Sequence, residues 1–127
     1  AYNRLGVAHT LPGGFAEAEA AYRKALALDR ADLDIKTNLA LVTALIRRDT
    51  EAQALIAEVV AEPRAEERHF RARVLVLALT DKAPEARQTT HRGLGRSDVD
   101  KLLSQARKIV ASGDARAKGS ALGAVMI

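Results

Sequence analysis

Two segments of this chain match each other when one is shifted by 34 residues. The matching positions carry small or apolar residues in both segments: Leu5, Ala18, Tyr22 and Ala25 in the first, and Leu39, Ala52, Ile56 and Val59 in the second. Repeats of this length are commonly pairs of helices that bury their apolar faces only by stacking on further pairs. The period therefore predicts a helical array, and such arrays usually present extended binding surfaces.

The composition favours closely packed helices over a sheet. Aromatic residues make up 3% of the 127 residues, Trp is absent, and Ala and Leu dominate. Strands are enriched in aromatic and β-branched residues, whereas Ala and Leu are strong helix formers. The sequence has no cysteine, which excludes disulfides and thiolate sites. No apolar run reaches the roughly 18 residues that would indicate a membrane span.

Turn and cap residues divide the chain into helices. Pro12-Gly13-Gly14 ends the first helix, and Ser97 is predicted to cap a later one. The predicted helices are 2–11, 15–28, 33–47, 49–61, 66–79, a second helix of the third pair that includes Glu85-Ala86, 97–111 and 115–122. Residues 123–127 are expected to fray.

The predicted fold class is all-α. We expect an α-solenoid of about three helix pairs (about 1–32, 33–64 and 65–93) within an array at 1–93. Residues 94–127 would form a C-terminal helical cap and a frayed tail. Large side chains are predicted to fill the core between the pairs: Leu5, Tyr22, Leu39 and Ile56.

Several repeat positions carry a family resemblance. They are Leu5-Gly6, Gly13, Ala18, Tyr22 and Ala25 in the first repeat, and Asn38-Leu39-Ala40, Ala52 and Ile56 in the second. This pattern resembles the tetratricopeptide repeat over about residues 1–63, and more loosely to Gly93. The resemblance implies a non-catalytic interaction scaffold that binds a peptide or helix in a concave groove.

The last third of the chain carries a second resemblance. Leu77-Ala78-Leu79 with 84–87, then Asp98-Val99-Asp100 and 113–116, resemble the TadD-type tetratricopeptide proteins of the Tad/Flp pilus assembly system. This implies a bacterial, periplasmic lipoprotein that helps to assemble a pilus, with its anchoring cysteine in a part of the protein before residue 1. Without that resemblance, the expected location is cytoplasmic.

The repeat also predicts which side chains line the groove. They come from the first helix of each pair: Asn3, Val7, Thr10, Thr37, Asn38, Leu41, Leu45, Arg68, Arg71 and Leu75. Leu and Val would supply contact area, while Arg68 and Arg71 would pair with a carboxylate of the partner. Asn38 and Arg68 match a two-carboxylate clamp only in part, so a chaperone-tail receptor is not predicted.

No catalytic or metal-binding constellation is predicted, and no cofactor. The three histidines lie on separate helices: His9 is predicted to pack, His69 to be exposed beside the arginines, and His91 to end a helix. The acidic residues at 29–34 lack the glycine and the final Glu of a calcium loop.

Charge divides unevenly along the chain. Residues 1–63 hold seven Lys and Arg against nine Asp and Glu, and residues 64–127 hold thirteen against seven. The basic residues lack interleaved aromatic side chains, which does not favour nucleic acid as the partner. Two alternatives to the scaffold stay open, a recognition module of a larger enzyme and a nucleic-acid-associated adaptor. A homodimer formed through the third repeat also stays open.

Overall fold

The computed structural model describes residues 2–127, so residue 1 of the predicted array lies outside the described range. This part of the chain is all-α, as predicted, and its only β feature is an isolated bridge between His91 and Leu94. The eight helices of residues 2–127 are α1 Tyr2–Thr10, α2 Phe15–Leu28, α3 Leu33–Leu45, α4 Asp49–Ala61, α5 Glu67–Leu79, α6 Ala83–Ala86, α7 Arg96–Ala111 and α8 Ala115–Gly123.

The 34-residue period appears in the backbone of three turns. Gly13, Arg47 and Asp81 have positive φ angles of 88°, 64° and 63°, and they follow α1, α3 and α5 respectively. At each turn the next residue donates its N–H to a carbonyl five residues earlier: Gly14 to His9, Arg48 to Thr43, and Lys82 to Leu77. This is the Schellman arrangement, in which a left-handed residue lets the chain leave a helix with its last carbonyls satisfied.

The same register holds inside the second helix of each pair. Ala18, Ala52 and Ala86 lie 34 residues apart, and each has 0% of its surface exposed. A small buried side chain lets neighbouring helices approach closely. Ala86 of α6 therefore continues the 34-residue spacing of buried alanines.

The second helix of the third pair is much shorter than predicted. α6 contains one turn, Ala83–Ala86, and the chain then continues through a turn closed by the His91–Leu94 bridge. Pro84 starts this helix, but Thr89 and Thr90 are β-branched and weak helix formers, and two glycines follow soon after. His91 therefore lies in this turn and stacks on Phe70, with 4.8 Å between the ring centroids, whereas the sequence pattern predicts it at a helix end.

Packing follows chain order until the last helices. α1 packs on α2, α2 on α3, α3 on α4, and both α3 and α4 on α5. α7 then packs on α5, and α8 contacts both α7 and α1. The C-terminal helix thus returns to the beginning of the chain.

Two sequence expectations about core and caps are wrong. Leu5 is 44% exposed, because the surface of α1 that carries it has no further described helix against it. Tyr22, Leu39 and Ile56 do lie in the core, as predicted. Ser97 lies within α7, and the Asp98 carboxylate accepts the N–H of Gly95 at 2.9 Å, so the cap residue is Gly95, two residues before Ser97.

Candidate functional site

The C-terminal segment, residues 115–127, lies across the residues that were predicted to form the open groove. It consists of α8 and the four residues that follow it. We call the surface beneath its last residues the inner face, which is formed by Asn38 of α3, Arg71 and Leu75 of α5, and Leu102 and Gln105 of α7. The frayed tail predicted from the sequence is therefore wrong, because Val125 and Met126 pack against the core.

Close backbone approach seats α8 on the end of α1. A Cβ atom built on Gly119 would lie within van der Waals distance of the Thr10 carbonyl oxygen and 2.7 Å from the Gly13 nitrogen. A Cβ on Gly13 would lie 2.5 Å from the Ala115 carbonyl oxygen. Because the opposing atoms are backbone, only glycine at position 119 permits this approach. Leu122, one turn further along α8, is fully buried.

Asn38 joins the C-terminal segment to two helices of the array. Its side chain is 0% exposed. The amide nitrogen donates to Asn3 Oδ1 at 3.1 Å, and Oδ1 accepts the backbone N–H of Ile127 at 2.9 Å. A buried amide without partners would carry a desolvation cost of about 1–3 kcal/mol. The segment therefore satisfies a polar group of the inner face through its backbone, independently of its side chains.

Tyr22 of α2 lies beneath the end of the segment. Its hydroxyl is 3.2 Å from the Met126 sulfur, and the side chain is fully buried. Burial raises the pKa of Tyr22 to about 12, because the phenolate would lose its hydration, and a hydrogen bond with Thr10 only partly opposes this. Met126 is the chain's one methionine, so this contact can be followed by itself.

A cavity of about 460 Å³ remains open beside the C-terminal segment. Arg68, Arg71 and Gln105 line one side of it, and residues 124–127 line the other. Arg71 is half-buried and forms no ion pair with any residue between 2 and 127. Pairing of Arg71 with a carboxylate of a partner stays a prediction.

Arg68 and His69 contact partners within the chain. Arg68 donates to Asp34 Oδ1 at 3.0 Å and also pairs with Glu66. His69 was expected to be exposed, but it is 1% exposed. Its Nδ1 accepts the Glu66 N–H at 2.9 Å, and its Nε2 lies 2.7 Å from Asp34 Oδ1. These partners assign the proton to Nε2, since Nδ1 is an acceptor.

The Asp34 carboxylate is the centre of this second cluster. Burial raises the pKa of Asp34, but hydrogen bonds from Arg68 and His69 outweigh that effect, so its pKa lies below its usual value. A polar cavity of about 360 Å³ opens beside it. Arg68 therefore differs from Arg71, because the charge of Arg68 is already paired with Asp34 of the same chain.

The other predicted groove residues are largely covered. Thr10, Thr37 and Leu41 are fully buried, and the two threonine hydroxyls donate to carbonyls of their own helices. Asn3, Val7 and Leu45 are half-buried. The ten predicted residues therefore do not form one continuous open surface in the described chain, and the part facing the C-terminal segment is Asn38, Arg68, Arg71 and Leu75.

No protein family, curated protein or solved structure matches this chain at a significant level. Among residues 2–127, no group of three or more His, Asp or Glu side chains is placed to hold a metal ion. None of the helices described for these residues combines the length and hydropathy of a membrane span.

Sequence reasoning missed the residues that hold the C-terminal segment in place. The sequence pattern indicates Leu102 and Gln105 only as part of a capping helix, and Tyr22 only as core. Gly119 offered a signal, because a glycine within a helical pattern often marks close packing. The contact between Tyr22 and Met126 spans 104 residues and has no local signature.

Proposed function

We propose that this chain is a non-catalytic scaffold of the tetratricopeptide type, and that its inner face binds a peptide or helix of a protein partner. The observation that carries the proposal is that a short helical segment, residues 115–127, already lies on this face. Asn38 meets that segment through a backbone hydrogen bond, and apolar side chains supply the remaining contact. Backbone pairing with apolar pockets is how helical and extended peptides are commonly recognised.

The repeat register supports this proposal. Alternate helices α1, α3 and α5 are each followed by one residue with a positive φ angle, at Gly13, Arg47 and Asp81, which is the repetition expected of a helical array. A stacked array with constant rotation presents the first helix of each pair on one side. We propose pilus or secretion assembly as the setting, on the resemblance of residues 77–116 to TadD-type proteins.

Arg71 supplies the sharpest test. Its charge is unpaired within residues 2–127, so Arg71→Glu removes no internal ion pair, and the fold should persist. Arg68 is a poorer choice, because its substitution would also release Asp34. Arg96, exposed at the start of α7, provides a matched charge-reversal control.

The experiment is crosslinked capture from a bacterial cell envelope with the wild-type chain, Arg71→Glu and Arg96→Glu. Pilus or secretion assembly proteins should be captured by the wild-type chain and by Arg96→Glu, and lost with Arg71→Glu. Circular dichroism should show the same helix content for all three. If both variants capture the same proteins as the wild type, the inner face is not the binding site.

A further inference from the structure

The C-terminal segment shows what kind of partner the inner face fits. We propose that the partner presents a segment of the same chemistry as residues 115–127, which competes with this segment for one place. That chemistry is a short helix with a glycine where it crosses α1, followed by apolar residues that end over Tyr22 and Asn38. This inference rests on the proposed function and specifies the partner's binding segment.

The first requirement comes from the crossing of α8 over α1. At Gly119 the Thr10 carbonyl oxygen and the Gly13 nitrogen lie too close for any side chain. A helix that replaces α8 must therefore carry glycine at that position. Apart from this contact, the exposed residues of α8 include Arg116 and Ser120, which the inner face does not constrain.

The second requirement comes from the apolar end of the segment. Leu122 is fully buried, and Val125 and Met126 pack against the core. Asn38 then accepts the N–H of Ile127, a bond that any non-proline residue can form. The inner face therefore selects a pattern of apolar residues three to four positions apart and excludes proline at the last position.

The third requirement is charge. Ala124 lines the same open cavity as Arg71, and Arg71 has no carboxylate partner among residues 2–127. A segment with Glu at the position of Ala124 would place a carboxylate in that cavity. A partner that carries this Glu gains an interaction that the chain's own segment lacks, which gives it an advantage in displacing residues 115–127.

Tethering explains why the chain's own segment occupies the site at rest. A segment joined by the short link at 112–114 acts at an effective concentration in the millimolar range. A free partner must therefore bind more tightly than residues 115–127 do, or the segment must be released first. Gly119→Ala should release it, because the added methyl group collides with backbone, while alanine keeps α8 helical.

The test uses the full chain and a fluorescent synthetic peptide of residues 112–127. Gly119→Ala is compared with wild type and with Gly113→Ala, whose added Cβ would meet nothing within 4 Å. The methyl resonance of Met126 reports whether the segment has left the inner face. Leu122→Asp is a second releasing variant, which acts on the buried apolar contact without changing α1.

We expect the peptide to bind both releasing variants at least tenfold more tightly than wild type or Gly113→Ala. A peptide carrying Gly119→Ala should not bind, and one carrying Ala124→Glu should bind more tightly than one carrying Ala124→Lys. The inference is overturned if the Met126 resonance shows release but the peptide binds no better. It is also overturned if neither releasing variant shifts that resonance.

A selection from a displayed peptide library on Gly119→Ala separates this inference from the proposed function. If library peptides bind, are lost with Arg71→Glu and lack the pattern of residues 115–127, the inner face binds peptides of another kind. In that case the inference fails and the scaffold function stands. If no peptide binds to either releasing variant, both fail.

Discussion

Asn38 offers the most direct measure of how the C-terminal segment is held. Its fully buried amide forms two hydrogen bonds, to Asn3 at 3.1 Å and from Ile127 at 2.9 Å. Asn38→Ala removes both bonds. Each typical hydrogen bond contributes about 0.5–1.5 kcal/mol, so their loss should cost about 1–3 kcal/mol. Alanine has a higher helix propensity than asparagine, which stabilises α3 by roughly 0.6 kcal/mol and partly offsets this loss.

The expected net loss is therefore about 0.5–2.5 kcal/mol in the free energy of unfolding. Urea denaturation measures it as a lower midpoint with an unchanged slope. The Met126 methyl resonance should shift in the same variant, because Ile127 loses its anchor. Asn3→Ala is the partial control, since it removes one bond from a half-buried site and leaves the contact to Ile127 in place.

A double-mutant cycle between Asn3 and Asn38 should give a coupling energy of about 0.5–1.5 kcal/mol, the magnitude of one hydrogen bond. The reasoning is refuted if Asn38→Ala costs less than about 0.5 kcal/mol and leaves the Met126 resonance unmoved. That result would mean that the amide bonds to water in solution, and that residues 115–127 are held by apolar contact alone.

Three further predictions follow from the turns and the titrating groups. Because Asp81 has φ 63°, Asp81→Gly should be more stable than Asp81→Ala by about 1 kcal/mol in thermal unfolding. The order should reverse at Ala57 on exposed α4, where Ala57→Gly destabilises, and the same order at both sites would contradict the left-handed turn. Burial raises the pKa of Tyr22 from 10.0 to about 12, so the free energy of unfolding should fall as the pH rises between these values, because the unfolded state ionises first. Tyr22→Phe should lack that fall. An equal fall in the wild type and in Tyr22→Phe would argue against burial of the hydroxyl. Because the pKa of Asp34 is lowered from its ordinary value of 3.8, the ionised carboxylate stabilises the fold above pH 3.8, and this contribution is lost as the pH falls further. The difference in free energy of unfolding between wild type and Asp34→Asn, measured in urea, should therefore shrink in acid. A constant difference would count against the pairing with Arg68 and His69.

The helices could be predicted from the sequence because their ends are set by local chemistry. Pro12-Gly13-Gly14 breaks α1, and Asp32 and Asp114 cap α3 and α8 through side-chain bonds to backbone N–H groups. The 34-residue period alone predicts that Ala86 is in register with the earlier pairs. Such features depend on local chemistry or on a regular spacing, and a sequence carries them directly.

The short α6 was harder to predict, because the period argued for a longer helix. After Ala86 the low helix propensity of Thr89 and Thr90 ends the helix, although the repeat pattern predicts that it continues. The repeat gave the correct register at Ala86 and the wrong length.

The candidate site could be predicted only in part, because it depends on tertiary pairing. Arg71 is half-buried beside an open cavity, and its predicted role in binding stays a prediction. Arg68 was expected to pair with a carboxylate of the partner, but it donates a hydrogen bond to Asp34 of the same chain, 34 residues away. Ile127 covers Asn38 from 89 residues away in the chain, and no local sequence pattern predicts this contact. Both errors arise where distant segments meet.

The contacts of residues 125–127 also bear on the order in which this molecule assembles. Helices α1 to α5 pack largely on their neighbours in the chain, and such local contacts form quickly. The hydrogen bonds from Tyr22 to Met126 and from Ile127 to Asn38 close loops of 104 and 89 residues. During synthesis helices α1 to α7 emerge first, so the inner face stays uncovered until residues 125–127 have left the ribosome. A nascent chain would therefore pass through a brief interval in which a partner meets no competitor.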